Sequence, residues 1–95
     1  VTDVIVRGTA TRWVDDRIEV TLSTASGKPC RIVEEVSVLT SASIPTSTSL
    51  PRELWIAGTS VRVNTDSVDV VLTHDVANAE GERTITVATD DVVWL

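Results

Sequence analysis

The chain is 95 residues long, 42% hydrophobic, and carries a formal net charge of −6. That length makes one domain with one modest core, burying about 60–65% of the surface the unfolded chain exposes. The charge works against non-specific contact with nucleic-acid phosphates or anionic lipid.

The single cysteine, Cys30, leaves no intrachain disulfide, and no apolar run approaches the roughly 18 residues of a membrane span. An intracellular or virion setting is therefore favoured over a disulfide-dependent secreted one. The chain begins at Val1 without Met and without a charged-then-apolar leader, which leaves open whether residues were removed before it. The apolar residues have an uneven identity. There is no Phe, Tyr or Met, while Val occurs 17 times and Thr 14 times. β-Branched side chains fit a pleated, half-buried surface and are poor helix formers, so composition alone points to an all-β domain.

In chain order, the first segment, 1–14, is apolar from Val4 to Val6 and then interrupted by Gly8, the mark of a bulge or a bend at a barrel corner. A bulge there would reset the phase of Trp13. Asp15-Asp16 reads as a two-residue hairpin loop. After it RIEVTLS alternates cleanly, with Ile18, Val20 and Leu22 on one face. A Ser-Gly-Lys-Pro turn leads to CRIVEEVSVLT, where Cys30, Ile32, Val36 and Val38 share a phase that Glu34 breaks. The conflict predicts a bulge near Glu34-Glu35 or a bend between two short strands.

Residues 40–49 form an uncharged Ser/Thr-rich loop with one apolar residue, Ile44. Loops of this length in small domains are often functional or flexible. Pro51 opens the only segment, 51–56, where one short helical turn is expected. A central hairpin follows over 60–74, with Val61 and Val63 inward on its first arm and Val68, Val70 and Leu72 inward on its second. Val71 adds an apolar residue on the opposite face, as for a strand with neighbours on both sides. Ile85 and Val87 alternate inward near the end, and the last four residues, VVWL, are apolar. An end this apolar is expected to dock into the fold or into a partner. These features predict a small single-domain β-barrel or sandwich, 1–95, of six to seven short, mostly antiparallel strands.

The inventory for chemistry is thin. His74, the only histidine, precedes Asp75, but neighbours on a strand point to opposite faces and do not meet. Cys30 has no local base and reads as a small buried hydrophobe. NTDSVD over 64–69 resembles the start of a calcium loop, yet lacks its glycine and late glutamate and reads better as a turn. One histidine and one cysteine do not make a zinc site. No phosphate cradle or nucleophile elbow is present. No catalytic, cofactor-binding or metal-binding residue is therefore assigned. The segment SIPTSTSLPRELWIAGTSVRV resembles in outline the swapped-hairpin transcription factors of the AbrB/MazE kind, through LPREL, Gly58 and Val61 to Val63. It departs from them in a shorter helical segment and in an acidic chain, so the DNA-binding role that the resemblance implies is not carried over.

What remains is the expectation of a non-enzymatic structural or protein-interaction domain that is a subunit of a larger assembly. Phage virion connectors and decoration proteins are the analogy. A protein partner or self-assembly is expected, nucleic acid and membrane are not, and no cofactor is implied. The interaction candidates are Trp13, Ile44, Trp55, Val93, Trp94 and Leu95, since tryptophans are favoured interface anchors. The alternative is an OB- or SH3-like barrel that binds a ligand or single-stranded nucleic acid. Such a site requires Arg12, Trp13, Trp55 and Arg62 to converge on one face.

Overall fold

The computed structural model describes residues 2–40, 49–78 and 80–95. Ile44, with residues 41–48 of the Ser/Thr-rich loop, lies outside them. Seven antiparallel strands make one sheet curled into a half-barrel: β1 (Thr2–Val14), β2 (Arg17–Ser23), β3 (Pro29–Glu34), β4 (Arg52–Val63), β5 (Ser67–Leu72), β6 (Thr84–Ala88) and β7 (Val92–Trp94). The order is β3-β2-β1-β4-β5-β6, and β7 pairs β1 over Val4–Val6, on the edge that β2 occupies further along. The all-β architecture is as expected, but two strands are long. β1 has 13 residues and β4 has 12, and they pair from Thr2 opposite Ser60 to Ala10 opposite Arg52. This pair, rather than the β4–β5 hairpin, is the centre of the sheet.

Two expectations about helix are corrected. The segment 51–56 is not helical, because from Arg52 onward it is the start of β4, with Leu54 and Ile56 buried. Alternating apolar residues, paired all along β1, outweigh the helix-starting Pro51. The helical turn, α1 (Val36–Leu39), lies instead where CRIVEEVSVLT breaks phase. β3 ends at Glu34, Glu35 stays extended, and the turn then buries Leu39 and packs Val36 and Val38 against the core. The predicted bend is present, but its second half is a turn rather than a strand.

The curl has a steric cause. A Cβ on Gly8 would sit 2.5 Å from Leu22 Cδ2 and 2.9 Å from Val20 Cγ1. One on Gly58 would sit 2.5 Å from Val70 Cγ1 and 3.1 Å from the Val71 carbonyl oxygen. Both glycines are on the inner face, and only a missing side chain lets the neighbouring strands close this tightly. Gly8 thus marks the barrel corner, while the bulge lies three residues later.

That bulge is at Thr11: Ala10 pairs Val20 and Arg12 pairs Glu19, leaving Thr11 extra. Before it the even residues Val4, Val6 and Ala10 face inward; after it Trp13, opposite the fully buried Ile18, does so and packs on the core. The Thr11 hydroxyl donates to the Glu19 carbonyl (3.1 Å) and to Glu19 Oε1 (2.9 Å), and Arg12 Nη2 donates to Glu19 Oε2 (3.2 Å). The Thr11 hydroxyl first, then Arg12, holds the Glu19 carboxyl below the usual carboxylate range. β4 carries a matching bulge at Val61, between the pairs Ser60–Val70 and Arg62–Asp69.

The core is Val, Ile and Leu from every strand, with Cys30, Leu39 and Val76. Ile18, Val20 and Leu22, Val68, Val70 and Leu72, and Ile85 and Val87 face inward as their alternation predicts. β5 lies between β4 and β6, as the extra Val71 implied. No helix among the described residues is long and apolar enough to cross a membrane.

Candidate interaction surface

The two ends of the half-barrel are finished differently. Trp13 pairs Ile18 and Ile18 pairs Glu34, so α1 starts beside the end where Trp13 turns inward. Val36, Val38, Leu50 and Trp13 pack on the core, with Leu39 buried among them. At the other end β1 begins, β4 runs past it, and β7 comes alongside. All five large hydrophobic side chains that stand exposed among the described residues are here: Val61, Val63, Val93, Trp94 and Leu95.

Their positions follow from the ladder. Trp94 lies opposite Val4 and Val92 opposite Val6, so both share the inner side. Val92 is buried there, whereas Trp94, past the rim, is 45% exposed. Leu95 extends the pairing through its N–H, which donates to the Asp3 carbonyl (3.1 Å), while its side chain is 72% exposed. The apolar C-terminal segment therefore docks by its backbone and by Val92, and leaves Val93, Trp94 and Leu95 largely exposed. The Arg7–Asp91 ion pair (2.6 Å) ties the 3-10 turn Thr89–Asp91, which feeds β7, to β1.

Val61 and Val63 correct the sequence reading, which turned both inward. Val61 is the bulged residue. Val63 does reach the inner side, opposite the fully buried Val68, but beyond the start of β1 nothing among the described residues covers it, and it is 61% exposed. Sequence reasoning missed these two as surface residues because alternation gives no sign of where a neighbouring strand stops.

The remaining candidates separate. Trp13 is half-buried and packs against the core from the inner side, and Trp55 is half-buried on the outer face, its Nε1 donating to Glu53 Oε1 (3.1 Å). Val93, Trp94 and Leu95 are together at the apolar end. Arg12, Trp13, Trp55 and Arg62 do not converge: Trp13 points inward, and Arg12 and Arg62 stand at opposite ends of the β1–β4 pair.

His74 does not continue the inward phase of Val68, Val70 and Leu72. It sits exposed in the 3-10 turn Thr73–Asp75 with φ 62°, a left-handed conformation that takes the chain out of β5. Cys30 is buried, and burial pushes its thiol up, partly countered by Asn78 Nδ2, which donates to Sγ at 3.4 Å. A thiol so placed resists forming the thiolate that nucleophilic chemistry needs. In the NTDSVD turn Asn64 bonds Ser67 through both its backbone and its side-chain nitrogen, and Asp69 Oδ1 accepts from Thr86 Oγ1 (2.7 Å). Among the described residues no three His, Cys, Asp or Glu side chains gather as metal ligands would.

A second feature is the seam between the end strands β3 and β6. Among the described residues the contacts that clasp it include the Ala25 N–H donating to the Thr86 carbonyl (3.0 Å), Asn78 Nδ2 donating to Cys30 Sγ and the Lys28–Glu80 ion pair (3.4 Å). A groove of about 600 Å³ opens there, with Cys30 and Ile85 on its floor and Asn78, Glu80, Glu82 and Thr86 along one wall. Asn78 builds that wall, its Oδ1 accepting from the N–H groups of Glu80 (3.0 Å) and Glu82 (2.8 Å).

Compared with known proteins, the chain matches no family, no curated protein and no solved structure.

Proposed function

We propose that this is a non-enzymatic β-domain that serves as a subunit of a larger assembly, with its apolar end covered by a neighbouring protein chain. One observation carries the reading: every exposed large hydrophobic among the described residues lies at a single end of the half-barrel. Scattered surface hydrophobics need no explanation, but a gathered set marks a contact surface. The free outer edge of β7 supports it, since an edge strand is a template for pairing with another chain. Connector and decoration components of phage particles are domains of similar character, an analogy of type and not of motif.

The test is molar mass by light scattering across concentration, for the native chain and for the double variant Val63→Glu/Trp94→Glu. Mass rising with concentration in the native chain alone supports self-assembly. A strict monomer to the solubility limit, indistinguishable from the variant, removes the self-assembling form of this reading.

A second reading, a small ligand-binding barrel of OB or SH3-like type, draws on the β3–β6 groove, whose size is within the range of small-molecule sites. A fragment screen by amide NMR tests it. Saturable shifts at Asn78 and Thr86 would favour it, and their absence across the screen would count against it.

A further inference from the structure

Three carboxylates, Asp3, Asp66 and Asp90, stand exposed at the apolar end, and this bears on what covers that end. Asp3 is exposed next to Leu95, whose N–H bonds its carbonyl. Asp66 is exposed at the tip of the β4–β5 hairpin, where its carbonyl accepts from the Thr89 N–H (3.2 Å), and Asp90 is exposed one residue further on. The cations close by are already engaged or offset. Arg7 holds Asp91, and Arg62 stands opposite Asp69 in the ladder. β7 pairs β1 on one side, and its other edge has no strand partner among the described residues. A three-residue strand edge, exposed valine, tryptophan and leucine, and a rim of exposed carboxylates thus lie at one end.

We infer that the occupant is an extended segment of a different protein, apolar on one face and basic on the other, which adds a strand to the free edge of β7. The inference rests on the docking reading above and names the partner's chemistry. A strand supplies the main-chain donors and acceptors that the β7 edge lacks, and its inward-facing side chains cover Trp94, which shares the inner side with Val4. Lysine or arginine at the intervening positions meets Asp3, Asp66 and Asp90. A second copy is the poorer occupant, because each copy carries a net charge of −6 and brings the same three carboxylates to the contact. Like charges juxtaposed at an interface suppress association.

The experiment titrates the intact chain with three synthetic peptides: an alternating Val-Lys octapeptide, the same peptide with proline at its central position, and an alternating Val-Glu octapeptide. The readouts are amide NMR shifts and light scattering. The Val-Lys peptide is expected to move the amides of Val92–Leu95 saturably, with affinity falling as salt is raised. The proline peptide, equal in lysine charge, breaks the new ladder, and the Val-Glu peptide is expected to bind roughly tenfold more weakly or worse. In the Trp94→Glu chain the shifts at these residues should be lost.

Equal binding by the Val-Lys and proline peptides overturns strand addition. Equal binding by the Val-Glu peptide overturns the selection for a basic partner while leaving the docking reading in place. Shifts at the same residues on concentrating the chain alone, with a rise in mass, make a second copy the occupant, overturning the inference but not the reading beneath it. No response at these residues to any peptide, from a chain that stays monomeric, overturns both.

Discussion

Trp13 and Val63 occupy matching places and meet opposite fates. Each lies two residues past a bulge, Thr11 in β1 and Val61 in β4. Each bulge reverses the phase of its strand and turns the later residue to the inner side, opposite a fully buried partner, Ile18 or Val68. Trp13 is half-buried against the core and Val63 stands 61% exposed. The bulge decides only direction. Burial depends on what lies across the sheet, and here α1 and Leu50 cover one end while the other end is left apolar and open. The proposed contact role of the Val63 end rests on this difference.

The comparison is sharpest if the two ends respond unequally to truncation. Trp13→Ala removes a half-buried side chain that packs against the core beside α1, and the expected loss is about 3 kcal/mol, the low end for a tryptophan, read as a lower urea midpoint at unchanged slope. A loss no larger than that of a surface change would mean the plugged end is not packed. Next in size is Gly58→Ala, which forces a methyl against the stiff Val70 side chain and the Val71 carbonyl. Overpacking of this kind costs about 1–3 kcal/mol, and thermal melts that leave the stability unchanged would show that the sheet can uncurl without cost.

A smaller effect belongs to Glu19, the clamp on the Thr11 bulge. Its carboxyl is held below its ordinary range in the folded chain, so it contributes stability in full above the unfolded value of about 4.3. That contribution is lost as the pH falls through the lower folded value. Glu19→Gln keeps an acceptor for Thr11 but loses the charge facing Arg12. The variant should be less stable than the native chain at neutral pH, and the gap should close in acid. A gap constant with pH would mean that the Arg12 charge plays no part. Smallest of all is Val63→Thr, expected to change stability by no more than about 0.5 kcal/mol while weakening any association read by light scattering. A core-sized loss there would dissolve the distinction between the two ends.

Much of the fold was legible in local pattern. RIEVTLS, the Val68–Val70–Leu72 alternation and Ile85–Val87 each turn the expected face inward, because two-residue periodicity is a property of the strand itself. The Asp15-Asp16 loop also forms where expected, with Val14 paired to Arg17 and Asp15 at φ 56°. The candidate surface was legible in part. Val93, Trp94 and Leu95 were singled out by the apolar end of the chain, but Trp13 was drawn against the core and Val61 and Val63 were placed inside. The bulges at Thr11 and Val61 were not legible because a bulge inserts a residue without changing the character of the sequence around it, and the exposure of Val63 was not legible because it depends on where β1 begins.

By itself, then, the sequence determined the class of this protein and the inner face of most of its strands. β-Branched residues at alternate positions have few other ways to bury themselves. Only the tertiary structure decided which ends are covered. That outcome depends on where β1 begins, how far β4 runs past it and where α1 folds back, all relations between segments far apart in the chain. The resulting geometry leaves one end of the half-barrel packed and the other apolar, acidic at its rim and uncovered.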